Sequence, residues 1–255
     1  MIHDDIIAVI EEICPLAGQE SWDNSGWQVG DPSDVTTGVV LCVDVTEEII
    51  AEAVARGANL VIAHHPLLFR GAKRLTGRDR VERCVAAAFR SGVSVYSAHT
   101  SCDCAREGVS VEMARMLGLE DVAPLDESGL GAVGLLPEPL PWRDFVTRVK
   151  MAFGTEVARV SRPATENLTV RRVALCGGSG GDFAARASGV ADVLVTADCK
   201  HNYFLDNTGD ILLVDAGHFE TEQCTKQIFY RAITEKFPNF AVWKSAAEKN
   251  PVLYL

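Results

Sequence analysis

Positive charge is what this sequence is short of. Among its 255 residues, Lys plus Arg (24) falls well below Asp plus Glu (35), for a formal net charge of −11. So acidic a chain has little to offer a phosphate backbone, and nucleic acid is not an expected partner. Long apolar runs are missing too. None approaches the roughly 18 residues of a membrane helix, so no membrane association is expected. The N-terminus, Met1-Ile2-His3-Asp4-Asp5, has neither the basic stretch nor the apolar core of a signal peptide, and a soluble, cytoplasmic protein is the expectation. The eight cysteines include no C-x-x-C pair, which excludes zinc-ribbon and thioredoxin-type motifs. Cys14, Cys42, Cys84 and Cys176 sit in or beside apolar runs, as free buried thiols do.

With 47% apolar and 23% charged residues, the chain has the composition of one large α/β domain or two compact lobes. Periodicities alternate along it. Helical spacing over residues 2–16 is followed by a strand at 39–45, a helix at 47–56 and a strand at 60–63 that runs into His64-His65-Pro66. A helix at 78–90, a strand at 93–98 and a helix at 109–117 follow. The first two strands are nearly continuous apolar runs, as in buried parallel strands covered by helices on both faces. Residues 121–141 hold four prolines and three glycines, so a lobe boundary is placed there, with an N-terminal α/β lobe over 1–126 and a second over 127–255. The second half predicts a helix at 142–152, strands at 156–160, 170–176, 192–196 and 211–214, a long helix at 220–236 and a strand at 240–243.

Histidine is scarce and unevenly placed. Of His3, His64, His65, His99, His201 and His218, all but His3 lie at a strand end or in the turn after one, where open α/β sheets bind ligands. A core histidine bonded to backbone is the usual alternative for any one of them. Neighbours on a regular strand face opposite ways, but past the strand end His64 and His65 can fan around one site. Otherwise one is buried and one exposed. Asp103, four residues after His99, is either a turn former or a metal-ligating carboxylate, with Cys102 and Cys104 as spacers. His218 and Glu222 are four apart at the start of a helix and so share a face. Acids in a first turn complement the helix dipole, but a cationic histidine there would not, and a neutral, metal-ligating His218 fits better.

Three imidazoles and two carboxylates (His64, His65, Asp103, His218, Glu222) are many for one catalytic zinc, which keeps three protein ligands and a water. They suit two divalent cations roughly 3.5–4 Å apart, with a bridging water held as a hydroxide nucleophile. Zinc, iron, manganese and nickel are not distinguished by these donors. His99 and His201 are candidates for supporting hydrogen bonds or proton transfer, against a purely structural role. Gly177–Gly181 reads as a tight strand-to-helix turn, with nucleotide contact as the minor alternative, because a P-loop's lysine and hydroxyl are absent.

Taken together, Trp22-Asp23-Asn24-Ser25-Gly26, His64-His65-Pro66, His99-Thr100 with Asp103, Gly177-Gly178-Ser179-Gly180, Asp192-Val193 through Thr196, and Gly217-His218 with Glu222 resemble the Nif-three-like dinuclear metal-centre family. Its members are also described as homologues of type-two GTP cyclohydrolase I, and the match runs from about residue 22 to 222. The resemblance implies two intertwined α/β lobes with mixed sheets and a ring-shaped homohexamer whose metal sites face an internal cavity. It also implies the same five ligands. It brings with it hydrolytic opening of GTP, or of another small, nucleotide-like substrate, as the candidate reaction. The alternative is a non-catalytic metal-binding scaffold or regulatory adaptor, since five protein ligands can also close a site. Trp27 stands where a smaller aliphatic residue is typical, Ala197 replaces the common glycine after Thr196, and the domain that some relatives insert between the lobes is missing.

Overall fold

The computed structural model describes all 255 residues and divides into two compact units. The first comprises Met1–Ala105 and Thr225–Lys249, the second Arg106–Cys224 and Asn250–Leu255. The first opens with α1 (His3–Ile13), β1 (Gly26–Val29), β2 (Val39–Cys42) and α2 (Glu47–Ala55). It continues through β3 (Leu60–Ala63), α3 (Arg80–Ser91), β4 (Ser94–Ser97) and α4 (Thr100–Asp103). The second carries α5 (Val109–Leu117), β5 (Glu120–Pro124), β6 (Ala132–Pro141), α6 (Trp142–Phe153) and β7 (Arg159–Val160). β8 (Thr169–Ser179), α7 (Ala184–Ser188), β9 (Val193–Ala197), α8 (His201–Asp206), β10 (Leu212–Asp215) and α9 (His218–Glu222) complete it. The chain then returns to the first unit as α10 (Thr225–Lys236) and β11 (Val242–Lys244).

The fold is mixed α/β with two mixed sheets. In the first unit the strand order is β1-β4-β3-β2-β11, parallel except for the antiparallel edge strand β1. All four residues of β2, of β3 and of β4 are buried, because helices cover both faces of the sheet. Alternate side chains (Val40, Cys42, Val61, Ala63, Val95) pack with Ile49, Ile50, Cys84, Val85 and Ala88 of α2 and α3. α10 packs on β2 and β11 and against α1. Thr46 and Asp79 cap α2 and α3 by accepting the amides of Ile49 and Glu82. The second sheet runs β5-β6-β8-β9-β10-β7, with β8, β9 and β10 parallel and the outer pairs antiparallel. Leu194, Leu213 and Ala174 on one of its faces pack with Ala184, Ala187 and Ile211.

Several expected elements differ. The proline-rich stretch 121–141, taken as the place where 1–126 gives way to 127–255, lies within the second unit, and the chain passes between units at Ala105/Arg106. Its prolines are compatible with strands: Pro124 ends the edge strand β5, and Pro137 and Pro139 fall where the β6–β8 register shifts between Leu135 and Leu140. The long helix expected at 220–236 is interrupted at Gln223–Cys224, where the chain leaves the second unit for the first. The strand expected at 156–160 shortens to Arg159–Val160. Gly177 and Gly178 are strand residues of β8 rather than a turn. No helix is long and apolar enough to cross a membrane.

One carboxylate ties the returning C-terminal segment to α2. Burial alone would raise the pKa of Glu52, but hydrogen bonds from the Ser245 hydroxyl, the amides of Ala246 and Ala247, and Arg56 outweigh it and hold it at about 2, against 4.5 ordinarily. The folded value lies below the unfolded one, so this stabilisation is complete above pH 4.5 and is lost as pH falls toward 2. Discounted for solvent screening, it is worth about 1–2 kcal/mol. Glu52→Gln is expected to flatten the acid limb of the stability curve between those pH values, as read from urea titrations at successive pH.

Candidate metal centre

In the first unit the site is built at the carboxyl ends of two adjacent parallel strands. β3 and β4 pair with Ala63 opposite Ser97, so the residues that follow, His64-His65 and Ala98-His99, emerge side by side. Ligand atoms of His64, His65 and His99 all lie within 4.8 Å of one another. The His64 and His65 rings are 5.1 Å apart, and His99 lies 5.2 and 5.4 Å from them. Of the two arrangements open to the adjacent histidines, this is the fan, with His64 fully buried and His65 half-buried.

Hydrogen bonding decides which ring nitrogen is available. His64 Nδ1 lies 3.0 Å from the carbonyl of Ala98. A carbonyl only accepts, so this contact assigns the proton to Nδ1 and leaves the lone pair on Nε2. Asp44 Oδ1 receives His65 Nδ1 at 3.0 Å, and Asp23 Oδ1 receives His99 Nδ1 at 2.8 Å. His64 Nε2 faces Asp103 Oδ1 at 3.6 Å, a pairing of a lone pair with a carboxylate that a shared proton or cation accommodates. Asp103 closes the four-residue helix α4, whose other three residues are buried.

Asp23 organises the rim of this cluster. Burial disfavours its charge, yet hydrogen bonds from His99, Thr100 and Ser25 prevail and hold its carboxyl well below the usual range. Its Oδ2 accepts from the Thr100 amide and hydroxyl at 3.0 and 2.6 Å, fixing the start of α4. Burial, with the charge of Asp103 next, pushes the Cys104 thiol up to about 12.

The second unit repeats the design at the ends of β9 and β10. His218, the first residue of α9, directs Nδ1 to Asp198 Oδ2 at 2.8 Å and Nε2 to Glu222 Oε2 at 2.9 Å. Asp198 presents its carboxylate from a left-handed backbone conformation (φ +53°), which aspartate tolerates better than most residues. Glu222 is 3% exposed, while Glu220 turns away to accept from Asn250 Nδ2 at 2.8 Å. Gly217 and Gly178 make the geometry possible. Both have positive φ, and a Cβ on Gly178 would lie 2.0 Å from Glu222 Oε1 and 3.2 Å from His218 Cε1. Gly178→Ala is therefore expected to push the Glu222 carboxylate aside and lower metal affinity by at least tenfold, for about 1–2 kcal/mol of stability. Metal titration beside thermal melting separates the two effects.

The donor set fits divalent cations. Each of the four imidazoles places Nδ1 on a fixed acceptor, a carbonyl or a carboxylate, which is how metal-binding histidines are oriented and made more basic. Three of those acceptors, Asp23, Asp44 and Asp198, were not picked out as functional in the sequence. The available signal is an aspartate at or just beyond the carboxyl end of a parallel strand for Asp44 and Asp198, and the Trp22–Gly26 motif for Asp23. His201 starts α8 as an exposed residue and belongs to no ligand cluster. The amides of Gly178 and Gly180 are committed to the hydroxyls of Thr221 and Thr196, which disfavours the phosphate-cradle reading of this segment. Trp27 packs edge-on against Tyr96 at 5.4 Å and lies beside His3, in the wall of the first unit.

Among proteins of known description, one from Lactococcus lactis called GTP cyclohydrolase 1 type 2 homolog is 34% identical over 256 residues, covering 97% of both chains. A Clostridium perfringens protein of the same description is 32% identical and covers 86% of each. Among solved structures, a Staphylococcus aureus hypothetical protein superposes with a TM-score of 0.92 at 24% identity, over 100% of this chain and 99% of its own. A Bacillus cereus protein related to NIF3 does so with the same score and coverage at 22% identity. These two likenesses establish the fold. The family model Duf34/NIF3 (NGG1p interacting factor 3) matches residues 1–251, nearly the whole length. With a whole-length family match, relatives above 30% identity and the shared fold in agreement, this chain belongs to the Duf34/NIF3 family.

Proposed function

We propose that this chain is a metal-dependent hydrolase with a dinuclear centre, for which His64, His65, Asp103, His218 and Glu222 are the ligands, and that it acts on GTP or a related small substrate. The observation that carries this reading is the fixing of Nδ1 in His64, His65 and His218, which leaves each Nε2 directed and basic. The description shared by the relatives supports the substrate. When bound, two divalent cations (zinc, iron, manganese or nickel) supply Lewis acidity and a water of lowered pKa.

The chain's own groups orient the donors and handle protons. Asp44 and Asp198 hold the rings of His65 and His218 and support their basicity. His99, whose Nδ1 is held by Asp23, is fixed beside the His64 and His65 rings as the candidate for proton transfer. Hydrolytic opening of the purine imidazole ring by one water leaves a formamide, and a second water cleaving its remaining C–N bond would release formate. Elemental analysis of protein purified without added metal is expected to give about two ions per chain, and GTP is expected to yield formate. Absence of formate with both ions present would defeat the hydrolase reading while leaving the metal centre. The homohexamer belongs to the same proposal, and light scattering should find a particle six times the 27.5 kDa chain.

A further inference from the structure

Two features next to the histidine cluster are not used by the metal centre. Trp22 is 58% exposed and Phe69 45% exposed, unusual for such large aromatics on so acidic a surface. They meet edge to face with centroids 6.1 Å apart, and they lie 6.1 and 6.2 Å from the ring of His99. The platform is rigidly held. Asp23, the neighbour of Trp22, is fixed by its bonds to His99 and Thr100, and Asn24 Nδ2 donates to the carbonyl of Leu68 at 2.9 Å, tying the Trp22 loop to the segment that carries Phe69.

The second feature is a cavity of about 480 Å³ that starts at Pro66, directly after His65, and shares Phe69 with the platform. Residues 70–83 contain six of the chain's 24 Lys and Arg but only two acids, a local reversal of the overall charge. Both acids are engaged by backbone amides: Asp79 accepts from Glu82, and Glu82 from Thr76 and Arg78. Arg80 reaches the carbonyl of Val45 and Arg83 pairs with Glu47. Arg70, Lys73 and Arg74 line the cavity with no carboxylate partner. Unneutralised cations in a concave, partly apolar site focus an anion.

We propose that Trp22 and Phe69 stack a planar heteroaromatic ring beside the His64-His65-His99 cluster while Arg70, Lys73 and Arg74 bind the phosphate it carries, so that the ligand is a nucleoside phosphate. This rests on the proposed function for the chemistry at the cluster, and it adds the means of recognition. The test is calorimetric titration of the full-length protein, as purified and after chelator treatment, with guanosine monophosphate, guanosine and inorganic phosphate. The monophosphate should bind at least tenfold more tightly than either part. Trp22→Ala should weaken it about tenfold, as loss of one stacking surface does, whereas Trp22→Phe should largely preserve it. Joint replacement of Arg70, Lys73 and Arg74 by alanine should reduce the monophosphate to the affinity of guanosine and remove its salt dependence.

Equal affinity for the monophosphate and phosphate, or indifference to Trp22→Ala, overturns the proposal. These surface replacements leave the core untouched, and a melting curve shared with the parent verifies it. Monophosphate binding without metal in the purified protein would sink the proposed function alone. Two ions per chain without such binding would sink this inference alone.

Discussion

His64→Ala is expected to reduce metal content from about two ions per chain to one or fewer and to end formate release. His64 is fully buried, and its Nδ1 contact with Ala98 leaves Nε2 as the only nitrogen able to face Asp103. Removing the ring also leaves a cavity, so about 2–4 kcal/mol of stability should go with it, and loss of metal alone would not separate ligation from misfolding. Chelation supplies the separate readout. A ligand that binds only the folded state stabilises it by about 4 kcal/mol at a thousand times its Kd. Chelator should therefore lower the melting temperature of the parent protein clearly and that of His64→Ala hardly at all. Asp198→Asn provides the graded comparison, because it keeps a residue tolerant of positive φ and weakens only the acceptor on His218 Nδ1. A tenfold loss of affinity with unchanged stoichiometry is expected. Should chelator shift His64→Ala as much as the parent, His64 is not a ligand.

The sequence and the three-dimensional site agree to different degrees, for physical reasons. The parallel core was legible because β2 and β3 are buried on both faces and therefore read as continuous apolar runs ending at marked positions. His64 and His65 stood out for the same reason, since they follow the end of such a strand, and His99 because it follows the strand expected at 93–98. β1, β5 and β6 were hidden. β1 is a four-residue edge strand beginning at Gly26, and β5 and β6 carry prolines that normally argue against strands and are tolerated here at an edge and a register shift. The division into units was hidden too, because the first is completed by α10 and β11, far along the chain, and contact between distant segments leaves no periodicity. Asp44 and Asp198 were missed because an aspartate after a strand is an ordinary turn former. Only the position of a ring nitrogen distinguishes one that orients an imidazole.

Glu248→Ala should cause the largest loss of stability. The Glu248 side chain is 3% exposed, and Oε1 accepts the amides of Val43 and Asp44 at 2.6 and 3.0 Å. Its Oε2 meets Lys226 Nζ at 2.6 Å, with Lys226 itself only 12% exposed. Alanine would leave two amides and a buried cation short of this partner, and breaking a buried pair from one side typically costs about 3–5 kcal/mol. At about 2–4 °C per kcal/mol for a chain of this size, the melting temperature should fall on the order of 10 °C. Glu248→Gln keeps an acceptor for the amides but removes the charge, so it should cost less. Glu248→Gln combined with Lys226→Met, which removes the cation that faced the lost charge, should recover most of the difference, and that non-additivity is the signature of a coupled pair. The carboxylate also holds the backbone of Asp44, whose side chain orients His65. A Glu248 variant that remains folded should therefore bind metal more weakly, although residue 248 lies far along the chain from the histidines. Additive melting shifts and undiminished metal affinity would together reduce Glu248 to a surface contact.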